Sequence, residues 1–276
     1  MQHLTLRDHT GIVPDELPYI PHAVPFPKLV SLRIFVLHPF ADDVLFRGNS
    51  DTLTYLSMIP DSVSINVLNR HNVFDAGRYS KLKFVVMNEI INEAVNTAVP
   101  AAILSNFLCK MAGPVQVLQM EMCADIKTLF AHPSLGEKGF QTLQILQARS
   151  SSLSLFDVLD LLKRLPALDS LYCGLAGLGS ELDGIAPENL PEHVVSNYSN
   201  VGKNLKGWRV SFDRGTNHNT IAVYAMLLAL VCPKFTKVDT PLMAMSDYCA
   251  SISEALRSGT YLKYAPRLSR LLDAVK

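Results

Sequence analysis

The sequence predicts an α/β solenoid, an arc or horseshoe of about eight or nine irregular units with a parallel inner sheet and outer helices. Three observations predict it. An apolar hexamer recurs along the chain at a roughly constant interval, segments of helical spacing with plausible caps lie between its copies, and the composition can fill a long core. Of the 276 residues, 49% are hydrophobic and only 18% charged, which excludes a disordered chain.

The hexamer has the form L-x-x-L-x-L with other apolar residues allowed. It reads "LVSLRI" from Leu29, "LTYLSM" from Leu53, "LKFVVM" from Leu82, "VQVLQM" from Val115 and "LQILQA" from Leu143. It continues as "LDSLYC" from Leu168, "LKGWRV" from Leu205 and "FTKVDT" from Phe235, with a weaker ninth copy, "LSRLLD", from Leu268. The period is about 30 residues. Several copies follow a turn through "P-K-L", "D-T-L", "S-K-L", "Q-T-L" or "P-A-L".

Each copy is expected to be a short strand. Alternation sends the fourth and sixth positions into the core and the third, fifth and seventh outward. Between the copies, helices are expected over Asp42 to Arg47, Ser62 to Arg70, Pro100 to Met111, Leu155 to Leu165, Thr220 to Val231 and Ser246 to Arg257. Ser154 and Asn219 stand where helices need N-caps, and Gly48, Gly113 and Gly259 where they need terminators. The long interval between Leu168 and Leu205 implies a loop or an extra helix from Gly179 to Asn200. Residues 1–25 form a proline-containing lead-in or cap, and residues 26–276 form one repeat domain with its own cap from about residue 260.

Over about residues 26–272 the pattern resembles leucine-rich repeats of the ribonuclease-inhibitor-like class. "LPYIPHAVPFPKLVSLRI" followed by "DDVLFRGNSDTLTYLSM" is similar, more narrowly, to fungal F-box/leucine-rich-repeat proteins. That resemblance implies non-enzymatic protein recognition on the inner face, with substrate recognition for an SCF-type ubiquitin ligase as the family role. A scaffold or regulatory inhibitor unrelated to ubiquitination is the alternative. Two departures stand out. The ninth repeat position, often Asn or Cys in the family, is matched by Cys123 but not by Leu37, Ala176 or Met243. No F-box is recognisable before the first strand, where Pro14, Pro18, Pro21, Pro25 and Pro27 oppose helices, so a cullin-RING ligase adaptor would be a partner only if an F-box lay upstream.

Other chemistry is not expected. No phosphate-binding loop, dinucleotide fingerprint, nucleophile elbow or metalloprotease motif occurs, and the glycines of "CGLAGLGSELDG" fit an inter-repeat loop. His71, His132, His193 and His218 are read as loop histidines, and Cys109, Cys123, Cys173, Cys232 and Cys249 as buried thiols rather than a zinc site. Twenty-five basic against 25 acidic residues argue against nucleic acid and anionic membranes as partners. The run "IAVYAMLLALV" is too short for a span, which takes about 20 residues, and lacks a charged face. No signal peptide is recognisable, so an intracellular location, cytoplasmic or nuclear, is expected. Neither a cofactor nor a metal is implied.

What remains is the outward row of each strand. Arg33, Phe35, Tyr55, Phe84, Gln119, Gln147, Arg149, Tyr172, Arg209 and Asp239 are the expected protein-binding residues. Arginine and aromatic side chains are the types that anchor interfaces.

Overall fold

The computed structural model describes residues 2–6, 28–34, 51–59, 79–87, 100–111, 113–121, 126–133, 135, 139–176, 185–211 and 218–263. These fall into two compact units, Met1–Leu143 and Gln144–Lys276. The hexamer from Leu268, the helices expected at Asp42 to Arg47 and Ser62 to Arg70, Cys123 and Phe35 lie outside the described residues.

The first unit holds strands β1 (His3–Leu6), β2 (Ser31–Ile34), β3 (Tyr55–Met58), β4 (Phe84–Met87) and β5 (Val117–Met120). They are parallel and in chain order, and every pairing joins equal hexamer positions, as in Ser31 with Tyr55 and Tyr55 with Phe84. Strand β1 lies in a segment read as lead-in. "MQHLTL" fits the hexamer with Met at its first position, and His3 pairs with Ser31 in the common register. Among the described residues the unit also holds helices α1 (Ala101–Met111) and α2 (Ile126–Ala131), and Ser105 Oγ donates to the Leu129 carbonyl at 3.0 Å to join them. Sequence reading gave no helix at α2, whose six residues span too few turns to show a period.

The second unit holds β6 (Ile145–Leu153), β7 (Ser170–Leu175), β8 (Gly207–Ser211) and β9 (Lys237–Asp239), again parallel and in register. Among the described residues its helices are α3 (Leu155–Arg164), α4 (Leu190–Tyr198), α5 (His218–Val231) and α6 (Met243–Arg257). Helix α3 begins where expected because Ser154 and Asp157 form a reciprocal capping box that satisfies two otherwise orphaned amides. Of the loop or extra helix expected before Asn200, α4 is the helix, while α5 and α6 start two and three residues earlier than the expected Thr220 and Ser246.

Burial follows the hexamer. The first, fourth and sixth positions of all eight copies from Leu29 to Thr240 are buried. Several strands are also entered alike. The amides of Leu82, Leu143, Leu168, Leu205 and Phe235 each donate to the carbonyl three residues earlier, which closes a turn before the strand. The threonines of "D-T-L" and "Q-T-L" gain a role here. Thr52 Oγ1 donates to the Leu29 carbonyl at 2.7 Å, and Thr142 Oγ1 donates to the equivalent Val115 carbonyl at 3.0 Å. Each ties one repeat to the preceding one.

In the second unit the helices pack on the face that carries the fourth and sixth positions. Trp208 stacks on Tyr224 of α5 at 6.0 Å between ring centroids, and the Tyr224 hydroxyl donates to the Ala176 carbonyl. Helix α5 is buried along most of its length, which suits its lack of charge. Among the described residues no helix is long and apolar enough to cross a membrane. The edge of β9 meets α6 through Ser253, whose Oγ accepts the Val238 amide at 2.9 Å.

Candidate interaction face

The outward positions of the strands form a separate, more accessible row in each unit. In the first unit Arg33 is exposed, with its guanidinium carbon 5.5 Å from the Tyr55 ring centroid. Phe84, next to Tyr55 in register, is 42% exposed, which is unusual for a phenylalanine in a sheet. Gln119 is half-buried and its amide donates to the Glu121 carboxylate. Ser57, in the same row, is buried, so this face is not uniformly open.

The second unit brings more of the expected residues together. Gln147, Tyr172, Arg209 and Asp239 are register partners across β6, β7, β8 and β9. With Lys237 they line a shallow depression of about 210 Å³. Arg149, outward at the seventh position as alternation predicts, belongs to the same group and opens an irregularity in β6. Ala148 pairs with Cys173 but Ser152 pairs with Gly174, so three residues of β6 bulge out between two adjacent residues of β7. From this bulge Arg149 reaches Tyr172 at 5.1 Å, and Arg209 reaches the same ring from β8 at 5.2 Å. Both distances lie within the range of cation–π attraction, about 6 Å.

Tyr172 differs from its expected role. It is only 7% exposed, so the two arginines, rather than the ring, are the exposed members of the group. Lys237, which the sequence reading did not single out, stands 3.9 Å from Asp239 and partly neutralises it. Its third-position place in "FTKVDT" was the available signal. The face thus carries three cations and one anion, with the positive charge concentrated around one ring.

The thiols and histidines are distributed as follows. Cys173, Cys232 and Cys249 are buried, but Cys109 on α1 is exposed, against the expectation of a buried thiol, because its position falls on the outer side of that helix. His132 follows α2 in a bend, whereas His193, expected in a loop, lies on α4 with its ring edge toward Phe156 at 6.0 Å. An aromatic cluster explains that place, since Phe156 also meets Tyr198 and Lys163 lies 4.0 Å from the Tyr198 ring. Among the described residues no three His, Cys, Asp or Glu side chains converge as metal ligands. No family model, curated protein or solved structure shows a significant match to the chain.

Proposed function

We propose that this chain is a non-enzymatic protein-recognition module of the leucine-rich-repeat type, which binds a protein partner through the open face of its strands. The observation that carries this reading is the Arg149–Tyr172–Arg209 group, held in register beside Gln147 and Asp239. Side chains that the core does not need, set on a rigid sheet, bind with little loss of entropy. Arginine beside a buried aromatic ring is also a common composition for an interface anchor. Substrate recognition for a ubiquitin ligase is the finer form of the same reading, suggested by the sequence resemblance.

Affinity purification with mass spectrometry from the native cell type tests it, comparing the parent chain with an Arg149→Gln/Arg209→Gln variant. Glutamine keeps the length and polarity of exposed side chains, so the fold is retained, which circular dichroism checks. Proteins captured by the parent and lost with the variant are the expected result. A ligase adaptor among the proteins retained by both would favour the receptor role, and capture without one would favour a scaffold or inhibitor. Identical capture by both chains, or turnover of a small substrate by the pure protein, would overturn the proposal.

A further inference from the structure

We infer that the turns leading into β8 and β9 form a basic edge that takes an acidic segment of a protein partner, its carboxylates seated against Lys203, Lys206, Lys234 and Lys237. The inference rests on the recognition reading above, extends the binding surface from the face to its edge, and gives the partner a chemistry.

The edge is built from two copies of one short pattern. "KNLK", Lys203 to Lys206, and "KFTK", Lys234 to Lys237, enter β8 and β9, and all four lysines are exposed. The sheet stacks the copies side by side, because the Lys206 carbonyl accepts the amides of both Thr236 and Lys237 at 3.1 Å. Asn204 fixes the spacing of the turns. Its Nδ2 donates to the Pro166 carbonyl at 3.1 Å, in the turn before β7, and its Oδ1 accepts from Lys234 Nζ at 2.9 Å. The Lys234 ammonium is thereby held against the residue that follows Lys203.

Charge complementarity carries the inference. In a chain with 25 basic and 25 acidic residues, four ammonium groups meet two carboxylates here. Asp169 stands 3.4 Å from Lys206 and Asp239 stands 3.9 Å from Lys237, both in pairs open to water, which screens them. Among the described residues Lys203 forms no ion pair, and Lys234 bonds a neutral amide rather than a carboxylate. Ammonium groups held together on a rigid backbone repel one another, and an incoming carboxylate relieves that repulsion.

The dimensions of the edge select a peptide over a nucleic acid. Adjacent strands set the two copies about 5 Å apart, a track shorter than a phosphate backbone uses, and Asp169 stands within it. The one aromatic residue of the two copies, Phe235, is buried and cannot stack a base. On an extended peptide, alternate side chains fall about 7 Å apart on one side, within reach of flexible lysines on neighbouring turns.

The test uses the full chain and fluorescence anisotropy with three labelled probes: hexaglutamate, hexalysine and hexathymidylate. Hexaglutamate should bind in preference to the other two, and added salt should weaken it. Its affinity should fall roughly tenfold in Lys203→Gln/Lys234→Gln, about threefold for each exposed contact, and stay unchanged in Lys81→Gln, an exposed cation of the first unit. Asp169→Asn should tighten it, because Lys206 is then released from its carboxylate partner. Circular dichroism checks that each variant is folded. Equal affinity in the parent and the double glutamine variant, weaker binding by Asp169→Asn, or tighter binding of hexathymidylate would overturn the inference. So would an absence of hexaglutamate binding. If capture in the purification above still depends on Arg149 and Arg209 while hexaglutamate fails to bind, the acidic chemistry is wrong and the recognition reading stands. If hexaglutamate binds through the lysines while capture ignores the arginines, the basic edge stands and the reading of the face is wrong.

Discussion

Arg209 places its guanidinium carbon 5.2 Å from the ring centroid of Tyr172, one strand away, and the two residues are direct partners in the β7–β8 register. The ring is 7% exposed while the arginine is exposed, so the pair divides its work between packing and display. Their substitutions should therefore separate stability from binding. Tyr172→Ala removes a buried ring and should cost about 2–4 kcal/mol. Arg209→Gln removes one exposed cation–π contact and should cost no more than about 1 kcal/mol. Urea midpoints measure both, and a Tyr172→Ala chain as stable as the parent would show that the ring is not part of the core.

Ser253 should be a stability residue that never touches a ligand. Its Oγ accepts the Val238 amide at the edge of β9, within buried surroundings. Ser253→Ala leaves that amide without its partner, at a cost of about 1–3 kcal/mol, whereas most helical Ser→Ala changes are neutral or favourable. Ser251→Ala is the internal comparison, because Ser251 is exposed and bonds, among the described residues, back to Asp247 in its own helix. Chemical denaturation should separate the two by at least about 1 kcal/mol.

The buried thiols predict a loss of stability in alkali. Burial pushes Cys173 and Cys232 up to about 12 and Cys249 to about 11, from an ordinary value of 9.0. Because the folded state holds these protons more tightly, their contribution is complete below pH 9 and is lost as pH rises from there toward 11 and 12. Each fully buried thiol should cost about 1 kcal/mol between pH 9 and 10. Cys232→Ala should flatten that part of the urea-midpoint profile relative to the parent. In a Cys123→Ser background, an alkylating reagent at pH 8 should label Cys109 in the native protein and the other three only after unfolding.

The core was far more legible in the sequence than the face. Leucine at the first and fourth hexamer positions marks the strands because each must fill a buried site, and a shift by one residue would turn every such side chain outward. That constraint explains why the register from Ser31 through Lys237 follows from pattern alone within each unit. Strand β1 escaped because Met1 replaces the leading leucine and prolines dominate the residues that follow. On the face, alternation located Gln147, Tyr172, Arg209 and Asp239. It placed Arg149 on the same side but could not reveal the slip in the ladder after Ala148 or the burial of Tyr172. A hydrophobic pattern records what water excludes, and it carries no signal for where a ladder slips.

That bulge predicts a requirement at Gly174. A Cβ there would lie 2.7 Å from Ser152 Oγ and 3.1 Å from the Ser151 carbonyl oxygen, so β7 can approach the bulged backbone only where a side chain is missing. The hydroxyl can rotate away, but the carbonyl belongs to the bulge itself and can yield only by moving the segment that carries Arg149. Gly174→Ala should therefore cost about 1–3 kcal/mol and also reduce the protein capture that depends on Arg149 and Arg209, although residue 174 is buried and lies outside the face. Gly113→Ala is the control, since a Cβ at Gly113 meets nothing within 4 Å, and it should change stability by no more than about 0.5 kcal/mol. A Gly174→Ala chain that is destabilised yet captures the same proteins as the parent would show that the arginine pair tolerates movement of the bulge. A chain altered in neither property would show that the close approach of β7 to β6 is not required at all.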